Sequence, residues 1–168
     1  PLNNVKIHNI VYFDLAQKIR DYKQQKEPKH TGIEVQAYQS NIYKNNLMKY
    51  LYRADRIPSS IGNDWIKKAY QTSQCLIEKS KKTILFSTYA PPATHLICLQ
   101  LKNFYKEKVF WIADFRDFWT TNPVWPSLFP FNLFEKQKEK QIIQKADLST
   151  FASNDLKYFY HNSFNIAE

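Results

Sequence analysis

Residues Thr83 to Ala113, TILFSTYAPPATHLICLQLKNFYKEKVFWIA, decide the fold. Thr83 to Thr88 is a short apolar run of strand length, and Pro91-Pro92 ends it. Ala93 to Tyr105 then places Leu96, Ile97, Leu99 and Leu101 at helical spacing. Val109 to Ala113 is a second apolar strand. Strand, helix and strand within about thirty residues is the size of a βαβ unit, which joins parallel strands by a right-handed crossover.

Outward from this unit the alternation continues. A Pro- and aromatic-rich loop spans Thr120 to Asn132, a charged helix Leu133 to Ala146, and a third strand Leu148 to Ala152. Ser153 or Asn154 reads as the cap of a last helix. Upstream, Asn63 or Asp64 caps a helix that carries Trp65, Ala69, Leu76 and Ile77. Before it the signals are weaker: a β-rich run Val5 to Phe13, a polar helix Asp14 to Lys26, a short strand Ile33 to Tyr38 and a basic helix Asn41 to Arg53. The pattern predicts an α/β domain over residues 1–168, a Rossmann-like open and mostly parallel sheet with helices on both faces.

Composition bounds the function. With 43% hydrophobic and 16% aromatic residues the chain is a folded domain rather than a disordered tail. Its net charge of +9 fits an anionic partner, and it fits equally a chain enriched in Lys by A/T-rich codons. Cys75 and Cys98 fall inside helical patterns and read as buried free thiols of a reducing compartment. No apolar run approaches the ~20 residues that span a bilayer, and no signal segment opens the chain. Because the chain begins at Pro1, it reads as a piece of something longer. Gly32 and Gly62 are its only glycines, so neither a GxGxxG turn nor a P-loop can be built. No Cys/His set has metal-ligand spacing, and no metal is expected.

Ligands of open α/β sheets bind outside the carboxyl ends of the strands. Three polar groups fall there: Ser87 and Thr88 with His95, then Asp114, Arg116 and Asp117, then Ser153, Asn154 and Asp155. Each has a plainer reading. His95 can be a half-buried helix residue, Asp114 a turn cap, and Arg116 with Asp117 an ion pair that anchors a loop. Trp119 and Trp125 read as packing.

The blocks Ser87-Thr88-Tyr89-Ala90-Pro91-Pro92-Ala93-Thr94-His95-Leu96, Trp111-Ile112-Ala113-Asp114-Phe115-Arg116-Asp117-Phe118-Trp119 and Ala146-Asp147-Leu148, together with Trp65 and Ala69, resemble the amino-terminal domain of bacterial family 4 glycosyltransferases. The likeness runs from about Arg56 to Asp155. It implies one half of a GT-B fold, the acceptor side, with a nucleotide-sugar donor bound mainly by a carboxyl-terminal domain that is not in this chain, and no cofactor. By the same resemblance His95 lies near the donor sugar. Asp114 and Asp117 match the acidic motif, and we assign an acid/base role to one of them, with Ser87, Thr88, Arg116, Ser153 and Asn154 binding substrate. Such an enzyme builds cell-surface polysaccharide or lipopolysaccharide on a saccharide or lipid-linked acceptor, in the cytoplasm or at the inner face of the cytoplasmic membrane. Alone, these residues should not transfer sugar. One departure stands out: the family's opening strand leads into a Gly-rich loop, and Val5 to Phe13 leads into none. The rival expectation is a non-catalytic basic α/β module for an anionic polymer or nucleic acid. Charge alone supports it, since no RNA- or DNA-binding motif is present, and nucleic acid is not expected as a partner.

Overall fold

The alternation along Val109–Phe115 organises the structure. Val109, Trp111, Ala113 and Phe115 are all buried, whereas Phe110 between them is 47% exposed. One face of this strand is therefore core and the other is open. The computed structural model describes residues 5–11, 64–80, 82–89, 92–122 and 129–164. In order these form α1 (Asp64–Glu78), β1 (Thr83–Thr88), α2 (Ala93–Tyr105), a single 3-10 turn (Lys106–Lys108), β2 (Val109–Phe115), α3 (Phe131–Lys145), β3 (Leu148–Phe151) and α4 (Asn154–Phe164).

The three strands are parallel and lie side by side in chain order. Right-handed crossovers between strands in that order must place α2 and α3 on the same face of the sheet. They do: α2 packs on β1, β2 and α3, and α1 packs against α2. From the end of β3, α4 turns back onto this face, where Tyr160 meets Phe115 and Phe151 with ring centroids 4.7 and 5.5 Å apart. The opposite face presents Ile84, Phe86, Phe110 and Leu148, all exposed. Among the described residues the helices thus cover one face only. The expected helices Asp14 to Lys26 and Asn41 to Arg53, and the strand Ile33 to Tyr38, lie outside the described residues.

Local chemistry explains the boundaries. The Thr94 hydroxyl donates to the Thr88 carbonyl at 2.6 Å, tying the first turn of α2 to the end of β1. α2 stops at Lys106, whose φ of 48° is a value usually left to glycine in a chain that has few. Asp147 pins the start of β3: its N–H donates to the Trp111 carbonyl at 2.9 Å, and its carboxylate accepts the Trp111 N–H at 2.7 Å and Lys102 Nζ at 2.7 Å. The Ser153 hydroxyl accepts the Leu156 N–H and caps α4, which settles the choice between Ser153 and Asn154.

Three expectations need correcting. Residues 5–11 form no strand, and Val5, Ile7 and Val11 are exposed: a β-rich composition alone does not make a strand. Cys75 is exposed and only Cys98 is buried. The buried stripe of α1 is Ile66, Ala69 and Ile77, and Cys75, two residues before Ile77, points away from it. Finally, β2 runs two residues beyond Ala113, to Phe115, so Asp114 belongs to the strand itself. No helix among the described residues is long and apolar enough to cross a membrane.

Trp111 is fully buried and its indole N–H donates to Ser87 Oγ at 2.8 Å. Trp111→Ala should therefore cost about 3–5 kcal/mol of unfolding free energy. Trp111→Phe, which keeps most of the ring, should cost less. Urea unfolding of the two variants checks the order; equal losses would mean the hydrogen bond, rather than the volume, dominates.

Candidate functional site

Strand register builds a polar row across the open face of the sheet. Thr88 pairs with Asp114, and Asp114 with Thr150, so three polar side chains from three strands stand abreast at the carboxyl end. The Asp114 carboxylate accepts from both neighbours, from Thr88 Oγ1 at 2.9 Å and Thr150 Oγ1 at 2.7 Å. Arg116 Nε lies 3.4 Å from the same carboxylate, with most of its own side chain in solvent. Burial pushes the Asp114 pKa up, but the hydrogen bonds from Thr150 and Thr88 and the charge of Arg116 outweigh it and hold the group below the usual aspartate value. An ionised carboxylate with hydrogen-bonding capacity left on Oδ1 can orient a ligand hydroxyl. Its lowered pKa makes it a weak proton acceptor.

His95 has a different setting. It is wholly buried on the helix-covered face, with its ring centroid 4.9 Å from that of Phe115 and 6.4 Å from that of Trp111. Its Nδ1 lies 2.7 Å from Ser87 Oγ, which already accepts the Trp111 N–H. The simplest arrangement has Ser87 donate to Nδ1, which assigns the imidazole proton to Nε2. Nε2 makes no hydrogen bond of normal geometry, although the Asp114 carbonyl lies near enough to favour a proton on the ring. Burial lowers the pKa to about 4 against the pull of Asp114. His95 is neutral at pH 7. The same burial raises the Cys98 thiol to about 11, opposed by the polar Ser87 hydroxyl nearby.

The expected residues thus divide. Thr88, Asp114 and Arg116 come together on the open face, joined by Thr150, which the sequence reading passed over. The sequence carried no signal for it: that β3 neighbours β2, and in the register that Asp147 fixes, is seen only in the structure. Ser87 and His95 share the carboxyl end but sit behind the sheet. Asp117 is exposed just past β2, and Ser153 and Asn154 are exposed at the start of α4, with the Ser153 hydroxyl engaged as a cap. Trp119 is packing, 1% exposed; Trp125 lies outside the described residues. No group of three His, Cys, Asp or Glu among the described residues could hold a metal ion.

A second missed residue is Glu139, fully buried in the helix read only as charged. Its carboxylate accepts from Thr120 Oγ1 at 2.5 Å and from Tyr160 OH at 2.6 Å. It thereby fastens the segment after Asp117 to α4, holding two strand-end segments from behind. Burial raises its pKa, while the Thr120 and Tyr160 hydrogen bonds oppose the rise. Glu139→Ala should cost about 2–4 kcal/mol, because it leaves a cavity and two buried hydroxyls without their acceptor. Glu139→Gln, which keeps the shape and one acceptor oxygen, should recover most of that in chemical unfolding.

His95 gives a pH signature. Its folded pKa lies below its value of 6.5 in the unfolded chain, so the unfolded state binds more protons between about 4 and 6.5. Its contribution to stability is complete above that window and is lost as pH falls through it, on the order of 3 kcal/mol in all. Unfolding curves across this range should slope in the wild type and flatten in His95→Gln; parallel slopes would mean the ring is solvated. No protein-family model matches the chain, and neither a curated protein nor a solved structure is found similar to it, so the glycosyltransferase resemblance rests on the residue blocks themselves.

Proposed function

We propose that this chain is the acceptor-side domain of a glycosyltransferase, one that takes a sugar from a nucleotide-sugar and passes it to a saccharide or lipid-linked acceptor in cell-surface polysaccharide synthesis. The observation that carries the reading is the Asp114 carboxylate, ionised and shared by three strands at the carboxyl end of a parallel sheet. Acceptor hydroxyls need an oriented hydrogen-bond acceptor, and a fixed carboxylate supplies one. Arg116 and Asp117, both exposed next to it, add the polar contacts a saccharide requires.

The roles we assign are supported by exposure and hydrogen bonding. Asp114 orients the attacking hydroxyl, Asp117 is the more solvated carboxylate available for the proton, and Thr88 and Thr150 keep Asp114 charged. His95 acts from behind, as a neutral prop for the strand end. Donor binding and the leaving diphosphate belong to a second domain, as the resemblance implies.

In a protein that joins this domain to a donor-binding one, Asp114→Asn should lower kcat/KM by roughly a hundredfold. Thr150→Val, which removes one hydrogen bond to the carboxylate, should cost about five- to tenfold. Release of nucleoside diphosphate from a panel of nucleotide-sugars, with bacterial lipid and saccharide extracts as acceptors, measures both. Wild-type turnover in the two variants would reduce the row to scaffolding and sink the proposal.

A further inference from the structure

Two costs of burial meet at one turn behind the sheet. Glu139 on α3 is fully buried, and none of the ion pairs among the described residues involves it. Its carboxyl is tied to Thr120 Oγ1 and to Tyr160 OH. Next to Thr120 lies Trp119, 1% exposed, whose indole N–H has no hydrogen-bond partner among the described residues. Water relieves both a buried carboxylate without a counter-ion and a buried donor without an acceptor. Moving one short segment outward, Trp119–Asn122, would give water to both. That segment is closed by long bonds to main-chain carbonyls, from the Asn122 N–H to Trp119 at 3.4 Å and from Asn122 Nδ2 to Phe118 at 3.2 Å.

We propose that this turn is a proton-held latch, shut while Glu139 carries a proton and loosened when it does not. The shut form needs no charge. A hydroxyl can donate or accept, so Tyr160 can donate to one carboxyl oxygen while the other, protonated, donates to Thr120. The O···O separations of 2.5 and 2.6 Å suit either direction. Once the proton leaves, the charge stays in the core until the turn opens and hydrates it. Burial raises the Glu139 pKa against the hydrogen bonds from Thr120 and Tyr160, the sense that such a latch requires.

The groups packed around Glu139 supply no competing charge. On α4 burial pushes the Tyr160 phenol far up, so it stays protonated, with Tyr89 from the end of β1 within electrostatic reach. His161 follows Tyr160 and is half-buried. From α2 come His95, neutral at pH 7, the protonated thiol of Cys98, and Lys102, which Asp147 engages. Glu135, one turn earlier on α3, is also buried. Past β2, Asp117 is exposed, and Asp114 faces the open side.

Linkage fixes the direction. The shut form holds its proton more tightly than any form in which Glu139 meets water, so rising pH favours opening. The Glu139 contribution to stability is whole below the unfolded value and is lost as pH rises through the raised folded one. His95 acts in the opposite sense, and a loosening confined to acid would belong to it. Asp117, two residues before Trp119, would move with the turn. That such movement matters at a working site rests on the function proposed above, whereas the latch does not.

The test needs no turnover. Amide exchange of the whole chain, corrected for the intrinsic effect of pH, is followed from mild acid to mild alkali. Opening at Trp119–Asn122 should increase severalfold as pH rises above the ordinary glutamate range, about tenfold for each pH unit that burial adds to the Glu139 pKa, while α2 stays level. Glu139→Gln, neutral and of the same shape, should hold the turn shut at every pH. Thr120→Val removes a bond that favours the charged form and should move the step to higher pH, which keeps the test decisive if the glutamine variant folds poorly. The latch is overturned by a wild type without a step, by a step that survives Glu139→Gln, or by one that moves to lower pH in Thr120→Val.

Discussion

Side chains along a strand point alternately to opposite faces, and in β2 this rule is the constraint from which the rest of the structure follows. Trp111, Ala113 and Phe115 take the side that the right-handed crossovers cover with helices. Asp114, between the last two, must take the other. A carboxylate between two fully buried apolar neighbours stays near water because strand alternation turns it to the open face. Its position is a by-product of packing.

The two sides of this strand end solve opposite electrostatic problems. On the open side the cost of partly burying a charge is met by two hydroxyls and a guanidinium, and the carboxylate stays ionised. On the covered side burial outweighs the pull of the Asp114 carboxylate across the strand, and His95 stays neutral. The Ser87 hydroxyl, held between the Trp111 indole and the imidazole, satisfies one ring nitrogen without introducing charge into the core. Glu139 is the intermediate case, a carboxyl deep among aromatics that burial drives toward the neutral form while its hydroxyl partners draw it back.

What could be read from the residues followed from strong periodicity. The runs Thr83 to Thr88 and Ala93 to Tyr105 were legible to the residue, because apolar spacing, a Pro pair and strand length agreed. Asp114 was legible as part of a polar cluster, but its place inside β2 was not: a charged residue reads as the end of a strand until Phe115 is known to be buried beyond it. The same limit hid Glu139, since a helix of the composition FNLFEKQKEKQIIQK carries almost no amphipathic signal, and only its partners on α4 and after β2 show which carboxyl turns inward. His95 was legible at the correct strand end, but not its place on the side away from Asp114, a distinction that depends on helix rotation rather than on order along the chain.

Asp147 acts at a distance from any ligand. With its main chain and side chain both bound to Trp111, it admits one alignment of β3 against β2. A strand of four residues has few ladder bonds with which to resist sliding. A slip of a single residue would exchange the faces of Thr150 and Ser149, leaving Asp114 without one of its two hydroxyl partners. The entrance of the sheet therefore acts as a keyway for its exit, and the charge on the carboxylate is set in part by a residue three positions before the threonine that touches it.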